Sequence, residues 1–468
     1  MNELTIPLNT SGGSHLYEQI YAYIRSEILE GRLTPGEKLP SSRLLAGHLQ
    51  VSRSTVNLAY EQLLAEGYLE AVPCKGFFIG KMDELIKPGK PLPASPPDNR
   101  DKEEFRWDFT PNGIDMRAFP YRTWRQITKE VLQDDRQELF ALGLPQGDEA
   151  LRQAISRYLF GARGVICRPA QIVVGAGNDY LLMLLRLLLK ENSTIAFENP
   201  TYTKAHNIMR SLGFSTAIVA MDENGMEVES LEKSGADIAY IMPSHQFPTG
   251  RVTSVGRRNE LLKWAAEKPE RYLIEDDYDS EFRYRGKPIP ALQGMDGKGR
   301  VIYMGTFSKA IAPAIRVSFM VLPPTLLEEY KKRAGLFSST VSRIDQKILE
   351  EFINRGGFER HLNRMRKIYK GKHDLLLECL RPFKKRFTLY GDQAGTHVLL
   401  EARDKVTEEE LKKTAAREGI KIYCLSDYIL EKKLKEYPPT VILGYAGMEA
   451  EEIVSGIDCL ARLWLDIS

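Results

Sequence analysis

The sequence predicts two folded modules, a winged helix-turn-helix over residues 1–80 and a large α/β domain over residues 105–468. The first eighty residues contain three helical patterns followed by two short apolar runs, whereas the chain after residue 105 alternates helical patterns with short apolar segments. Between the modules, residues 87–104 hold five prolines and almost no apolar side chains. This composition is typical of an extended linker, to which we assign residues 81–104.

The small module begins with apolar residues that recur every four positions, a spacing that predicts a helix with one buried face: Leu16, Ile20, Ile24 and Ile28. Ser41 is a candidate N-cap for a second helix, and Ser52 opens a third. Two apolar runs, 68–72 and 77–79, flank a turn over 73–76, which predicts a β-hairpin. Three helices and a hairpin in this order make a winged helix-turn-helix.

The third helix carries residues suited to reading DNA. When its apolar side faces the core, Arg53 and Asn57 lie on the free side, where Arg pairs with guanine and Asn with adenine. Arg43 starts the second helix, and Lys75 lies in the hairpin turn. Residues 1–80 nevertheless hold six basic and eight acidic side chains, a net charge of −2. Because a basic footprint is absent, a module that docks on protein remains an alternative.

Residues 39–79 closely resemble the DNA-binding domain of the GntR regulator family, with the string LPSSRLLAGHLQVSRSTVNLAYEQLLAEGYLEAVPCKGFFI. The match includes the P-S-x-R start, the V-S-R-x-T-V helix, the L-x-x-E-G-Y end and the K-G-x-F wing. The resemblance implies that this module binds double-stranded operator DNA through Arg43, Arg53, Asn57 and Lys75.

In the large domain, short apolar segments alternate with helical patterns, which predicts an α/β fold with a mostly parallel sheet. The predicted strands are 172–174, 194–197, 238–242, 272–274, 301–304 and 319–322. Because ligands of such folds bind at the carboxyl ends of the strands, the motifs found there are candidates for a site.

Four motifs lie at those strand ends. The glycine-containing turn 175–178 opens a helix whose first N–H groups can bind an anion. The acidic run 275–277 offers a carboxylate to a protonated ring nitrogen. Lys309 follows another strand, where a desolvated amine can form a Schiff base, and Arg316 lies seven residues further on. Together these groups are the parts of a pyridoxal 5'-phosphate (PLP) site.

The same region looks like the fold-type I aminotransferases, in the segments GLPQGDEALRQAISRYLFGARGV, VGAGNDYLL, ENPTY, SHQFPTG, IEDDYDSEFRY and GTFSKAIAPAIR. The resemblance runs from about residue 105 to the end and implies a PLP-dependent aminotransferase-like fold. It implies that Lys309 forms the Schiff base and Asp276 pairs with the pyridine nitrogen. Tyr278 would hydrogen-bond the ring oxygen, and Tyr202 would stack on the ring. The resemblance assigns the phosphate to Ala176, Gly177, Thr306, Ser308 and Arg316.

A GntR-type module fused to such a domain resembles the MocR/GabR-type regulators, which implies a small-molecule effector and a head-to-tail homodimer. Two departures concern the effector site. Phe247 stands where aminotransferases carry an Asn that bonds the ring oxygen, and residues 419–447 contain no Arg to bind a substrate carboxylate. Lys204, two residues after Tyr202, is a candidate effector-binding substitute.

The sequence therefore predicts a PLP-dependent transcriptional regulator that binds operator DNA and senses a small amine, an amino acid or PLP. The alternative is a working aminotransferase with an accessory DNA-binding module, although the two departures predict at most a residual aminotransferase half-reaction. A regulator whose effector is PLP alone also remains open.

The overall composition limits the remaining choices. The chain has 468 residues, 43% of them hydrophobic, and a net charge of +2, which excludes a disordered chain and any global attraction to polyanions. The first residues show no basic flank before an apolar run, so we expect no signal peptide, and no stretch is long enough to span a membrane. Five cysteines without metal-ligand spacing predict a cytoplasmic protein with no metal site.

Overall fold

In this computed structural model, the described residues are 6–9, 14–81, 105–133, 137–284, 286 and 288–465. The chain divides into two units, Met1–Lys102 and Glu103–Ser468. Most of the predicted linker, residues 82–104, lies outside the described residues. Among the helices that are described, none is long and apolar enough to cross a membrane.

The first unit packs three helices against a two-stranded hairpin, as predicted. Its elements are α1 (Leu16–Leu29), α2 (Ser42–Leu49), α3 (Arg53–Ala65), β1 (Leu69–Val72) and β2 (Gly76–Ile79). The Ser41 hydroxyl accepts the N–H of Leu44 at 3.2 Å, and the Ser52 hydroxyl accepts that of Thr55 at 3.1 Å. Both predicted helix starts are thereby confirmed. The core consists of the apolar residues predicted to face inward, including Ile20, Ile24, Ile28, Val56, Tyr60 and Leu63.

The described part of the second unit contains an eight-stranded, a four-stranded and a two-stranded sheet, flanked by helices. Its strands are β3 (Trp107–Asp108), β4 (Ile172–Gly175), β5 (Thr194–Asn199), β6 (Ser215–Asp222), β7 (Gly225–Met226), β8 (Ile238–Ile241), β9 (Tyr272–Asp277), β10 (Val301–Thr306), β11 (Ser318–Val321), β12 (Phe387–Tyr390), β13 (His397–Ala402), β14 (Ile420–Lys421), β15 (Tyr423–Cys424) and β16 (Thr440–Gly444). Its helices are α4 (Tyr121–Gln133), α5 (Glu149–Arg163), α6 (Asn178–Leu188), α7 (Thr203–Ser211), α8 (Val228–Lys233), α9 (Val255–Ala266), α10 (Phe307–Ala310), α11 (Pro324–Arg333), α12 (Arg343–Asn354), α13 (Gly357–Cys379), α14 (Glu408–Arg417) and α15 (Ala450–Leu465).

The large sheet has the strand order β4-β11-β10-β9-β8-β5-β6-β7. Its central strands, from β10 through β9, β8 and β5 to β6, pair in parallel, whereas β11 runs antiparallel to β10 and β4. The prediction of a mostly parallel sheet is confirmed. Parallel strands buried on both faces bring their carboxyl ends to one edge, where the predicted motifs meet.

The acidic run differs from its predicted place. We expected it after a strand that ends at residue 274, but β9 continues to Asp277, so the three carboxylates belong to a buried strand. Each has partners that offset the cost of burial. Glu275 accepts the N–H groups of Leu292 and Gln293 at 2.7 and 2.9 Å, and Asp277 forms an ion pair with Arg163 at 2.7 Å.

A smaller antiparallel sheet, in the order β12-β13-β16-β15, forms the C-terminal part of the second unit. The chain that follows the predicted linker begins with a separate two-stranded sheet, in which β3 pairs in parallel with β14. The Phe109 N–H then donates to the Lys421 carbonyl at 3.0 Å. This pairing anchors the start of the segment 110–114, which follows β3.

Candidate cofactor site and DNA-binding surface

A cavity of about 260 Å³ lies at the carboxyl ends of the central parallel strands. Segments that are far apart in the sequence supply its walls: Asn112, Ile114, Asn178, Asp179, Tyr202, Lys204, Met242, Phe247, Asp276, Tyr278, Thr306, Ser308, Lys309, Pro313, Arg316 and Ser318. The structure thus brings together the predicted cofactor residues, except Ala176 and Gly177, and the predicted effector residue Lys204. No local sequence pattern shows that these distant residues lie close together.

Lys309 lies in α10, the short helix that begins as soon as β10 ends. Its amine donates a hydrogen bond to the Pro111 carbonyl at 3.1 Å. Desolvation lowers the pKa of Lys309 to about 8, although the negative charge of Asp279 acts in the opposite direction. An amine with this pKa is partly neutral near physiological pH, which is the form that attacks a carbonyl carbon.

Asp276 presents one free carboxylate oxygen to the cavity. Its Oδ2 accepts a hydrogen bond from the Tyr240 hydroxyl, but its buried Oδ1 has no hydrogen-bond partner among the described residues. Desolvation is the main reason that the pKa of Asp276 rises to about 6. A buried carboxylate with an unused oxygen is suited to a cationic N–H group such as a protonated pyridine nitrogen.

The other end of the cavity is suited to a phosphate. Within the described part of the chain, the buried Ser308 hydroxyl has no hydrogen-bond partner, so it is free to donate. The Thr306 hydroxyl accepts the Ser308 N–H at 3.1 Å and the Ser318 hydroxyl at 2.8 Å. Hydroxyl donors, the N-terminus of α6 and the Arg316 guanidinium surround one space, the combination that binds a phosphoryl group.

The N–H groups of Ala176 and Gly177, to which the resemblance assigns the phosphate, both have acceptors within the protein in this structure. The Ala176 N–H donates to the Thr340 hydroxyl at 3.1 Å, and the Gly177 N–H donates to the Gly175 carbonyl at 2.8 Å. Helix α6 begins at Asn178, so the N–H groups without an intrahelical acceptor start there. Gly177 also makes room for Arg316, whose Nη2 would lie 2.2 Å from a Cβ atom at this position.

Asp179 connects the two cations at the mouth of the cavity. Its Oδ2 lies 2.8 Å from the Lys204 amine and 3.3 Å from Arg316 Nη2. Both basic side chains are about half exposed, at 53% and 51%. One carboxylate thus neutralises only part of the positive charge, so the mouth of the cavity retains an attraction for anions.

Aromatic side chains form the walls beside Asp276. Tyr202 and Phe247 make an edge-to-face contact with ring centroids 6.1 Å apart, and Phe247 contacts Tyr278 in the same way at 5.9 Å. Phe247 therefore fills the position of the missing Asn with an apolar ring. The Tyr278 side chain lines the cavity, and its hydroxyl lies 3.0 Å from Nδ1 of His245, a residue that does not line the cavity.

Sequence reasoning missed several residues of this site. Asn112 and Ile114 reach the cavity from the segment after β3, and no local motif marks them. Ser318 begins β11, directly beside Thr306 in the antiparallel register, so strand pairing would have been needed to find it. Asp179 and Asn178 could have been found, because they follow the glycine-containing turn directly.

The predicted DNA-binding residues lie on the surface of the first unit. Arg43 and Arg53 are exposed in the first turns of α2 and α3, and Asn57 is half-buried one turn further along α3. Lys75 is exposed at the tip of the hairpin, where its N–H donates to the Val72 carbonyl at 3.0 Å. A helix N-terminus with Arg and a basic wing tip is the arrangement that contacts bases and phosphates.

Known proteins share both units. Residues 16–79 match the gntR family of bacterial regulatory proteins, and residues 115–458 match aminotransferase class I and II. The HTH-type transcriptional regulator YdeL of Bacillus subtilis is 38% identical over 467 residues, which cover 99% of each chain. The probable rhizopine catabolism regulatory protein MocR of Rhizobium meliloti is 32% identical, over 96% of this chain and 94% of that one.

Solved aminotransferase structures are similar in fold to the second unit. A multiple substrate aminotransferase from Thermococcus profundus superposes with a TM-score of 0.68 at 25% identity, covering 78% of this chain and 92% of that one. A kynurenine aminotransferase from Pyrococcus horikoshii gives the same TM-score at 24% identity, which shows the fold alone. The predicted aminotransferase-like fold is confirmed.

A helix-turn-helix unit followed by an aminotransferase-like unit defines a class of transcriptional regulator. Within that class, the chain belongs to the GntR-type transcriptional regulators that carry an aminotransferase class I and II domain, the group that includes MocR. The family predicted from the sequence is confirmed by these matches.

Proposed function

We propose that this regulator binds PLP in the cavity of its second unit and operator DNA through its first, and that a small molecule at the cavity changes its affinity for DNA. One observation carries the proposal. Lys309 lines the same cavity as Asp276, whose Oδ1 atom has no hydrogen-bond partner among the described residues. Aminotransferases of this fold use that pair of groups for PLP, as the sequence resemblance implied.

The free polar atoms of the cavity correspond to the parts of PLP. Asp276 Oδ1 would hold the proton on the ring nitrogen, and Tyr202 would cover one face of the ring. Ser308, Thr306 and Arg316 would hold the phosphate, together with the first N–H groups of α6. These groups come from rigid elements, so the site is preformed rather than assembled by the ligand.

When bound, PLP supplies a carbonyl carbon that exchanges one amine for another and a ring that withdraws electrons. The residues of this chain orient the reacting groups. Desolvation leaves the Lys309 amine partly neutral near physiological pH, and the Asp276 carboxylate would hold a proton at the ring nitrogen. Phe247 and Tyr202 would exclude water from one side of the ring.

The effector that best fits this site is a small amine with an anionic group. Such an amine would compete with Lys309 for the carbonyl carbon, and its anionic group would meet Lys204 at the mouth. An entering carboxylate would replace Asp179, which now lies 2.8 Å from the Lys204 amine. Lys204 would therefore select for the anionic group, in place of an Arg from residues 419–447.

PLP itself is a second candidate effector. A relative from Corynebacterium glutamicum, 30% identical over 91% of each chain, is named HTH-type pyridoxine biosynthesis transcriptional regulator PdxR. If PLP is the effector, the protein with PLP and the protein without PLP would differ in their affinity for DNA, and no added amine would be needed. A working aminotransferase is the third version, and Phe247 argues against it because it supplies no hydrogen bond to the ring oxygen.

We further propose a head-to-tail homodimer in the cytoplasm, as the family resemblance implies. Apolar side chains on the surface of the second unit support a partner surface, because Phe140, Leu142 and Leu144 are 75%, 89% and 55% exposed. A dimer would also present two DNA-binding units to two half-sites.

The test combines a covalent marker with a binding assay. The protein is incubated with PLP, reduced with borohydride and digested, and mass spectrometry locates the modified lysine, which we expect to be Lys309.

The binding of the protein to its own promoter DNA is then measured without PLP, with PLP bound, and with PLP and a panel of amino acids. A response to PLP alone selects the second candidate, and steady-state turnover of amino-acid and keto-acid pairs selects the third. Labelling of other lysines only, or the absence of binding to DNA, would refute the proposal.

A further inference from the structure

The search for a further role led to a buried pair behind the cavity wall. We infer that His245 and Asp279 position the Tyr278 hydroxyl against the ring oxygen of PLP, and so replace the positioning that Phe247 removes. His245 and Asp279 are positioning residues in this inference, since neither lines the cavity. The inference rests on the proposed function, because it concerns the same PLP site.

The geometry shows which atom of His245 faces the pair. Its Nδ1 lies 2.9 and 3.0 Å from the two carboxylate oxygens of Asp279 and 3.0 Å from the Tyr278 oxygen. A carboxylate only accepts hydrogen bonds, so the Nδ1 atom carries a hydrogen. The His245 and Asp279 side chains are 4% and 1% exposed, which keeps bulk solvent away from this contact.

The backbone at Gly395 packs closely against the ring of His245. A Cβ atom on Gly395 would lie 2.2 Å from its Cε1 atom, so only a glycine leaves room for the imidazole here. Its Nε2 atom is buried and has no hydrogen-bond partner among the described residues, so Nδ1 provides its anchoring contacts.

The pair also acts on the charges of the site. Burial, followed by the charges of Asp279 and Asp276, raises the pKa of Tyr278 well above its ordinary value, so the phenol keeps a proton to donate. Asp279 also raises the pKa of Lys309 against the effect of desolvation. His397 faces His245 from β13, with ring centroids 5.8 Å apart, and burial lowers its pKa to about 4. His397 is therefore neutral near physiological pH.

The experiment follows the visible absorption of lysine-bound PLP in the full-length protein as the pH is varied, and measures PLP affinity in parallel. We expect His245→Gln to retain PLP but to raise the titration midpoint by about one pH unit, because a Tyr278 hydroxyl that is no longer held donates less to the ring oxygen and the deprotonated form is less stabilised. Asp279→Asn also removes a negative charge near the bound lysine, so its midpoint should lie below that of His245→Gln. The matched control is Asp374→Asn, which alters a second buried histidine, His373, at 3.2 Å on α13. This control should leave the midpoint unchanged.

A double-mutant cycle separates positioning from packing. If the pair acts through Tyr278, the Tyr278→Phe change should alter the spectrum little once His245 has been replaced. Additive effects of these two changes, or a wild-type midpoint in His245→Gln, would overturn the inference while leaving the PLP site intact. Failure of the wild-type protein to bind PLP would overturn the proposed function as well. If His245→Gln does not fold, as judged by circular dichroism, His245→Asn carries the same test.

Discussion

The Lys309 amine and the Pro111 carbonyl are joined by a hydrogen bond of 3.1 Å. The Thr396 hydroxyl donates to the same carbonyl at 3.2 Å. Pro111 belongs to the segment that follows the predicted linker, and its neighbours Asn112 and Ile114 line the cavity. If the Lys309 amine forms another bond, the Pro111 carbonyl loses one of its two hydrogen-bond donors, in the segment that leads back to the linker. This contact is the reason to expect coupling between the cavity and DNA binding.

Lys309→Ala should leave DNA binding intact but abolish the response to the effector. A coupling of roughly 1–3 kcal/mol would be typical, which corresponds to a change in DNA affinity of about 5–150-fold. The measurement is the dissociation constant for promoter DNA with and without effector, for wild type and variant. Lys332→Ala, a change on the exposed side of α11, is the control and should respond normally. A full response in Lys309→Ala would show that this lysine is not the switch.

The same variant should lose the absorption band of lysine-bound PLP. Without its amine the cavity can hold PLP only through ring and phosphate contacts, so the cofactor should dissociate on dialysis. Absorption spectra before and after dialysis check this outcome. A band that persists unchanged in Lys309→Ala would place the covalent link on another lysine.

Asp276→Asn should weaken PLP binding yet stabilise the protein without cofactor. Burial raises the pKa of Asp276 from 3.8 to about 6, so the folded state binds this proton more tightly than the unfolded chain does. The stability gained in this way is complete below pH 3.8 and is lost as the pH rises through about 6. Near pH 8 the variant should therefore be more stable than wild type by roughly 2–3 kcal/mol.

Denaturant unfolding of cofactor-free protein at pH 8 and pH 5 measures this difference, which should shrink at the lower pH. PLP affinity of the same two proteins is measured at pH 8. Equal stability together with equal PLP affinity would contradict the role of Asp276 as the partner of the ring nitrogen.

Arg53→Ala should cost roughly 1–3 kcal/mol of binding free energy at the specific promoter site and relax its sequence preference. The reason is that Arg53 is exposed in the first turn of α3, where a recognition helix meets base edges. Competition with sequence variants of the site checks both effects. Wild-type affinity and selectivity in this variant would refute the placement of α3 in the major groove.

Lys75→Ala should weaken binding to all sequences about equally and reduce the salt dependence of log K by about one. Lys75 lies at the tip of the hairpin, where a phosphate contact is expected. Titrations at several salt concentrations measure the slope. An unchanged slope would mean that the hairpin does not touch the DNA backbone.

The sequence by itself determined both modules of this protein and the residue types of its site. Periodic apolar residues and N-cap serines predicted α1 to α3, and the alternation of strands and helices predicted the parallel sheet. Both predictions succeeded because these patterns are local. Lys309 and Asp276 stood out for the same reason, since each lies near the end of a recognisable strand, and Arg316 stood out by lying seven residues after Lys309. Tertiary structure decided which groups meet. Asp179 bridges Lys204 and Arg316, Ser318 reaches Thr306 across an antiparallel register, and His245 meets Asp279 from a separate loop. These contacts join residues that are distant in the chain, so their energies depend on packing and burial that no local pattern encodes.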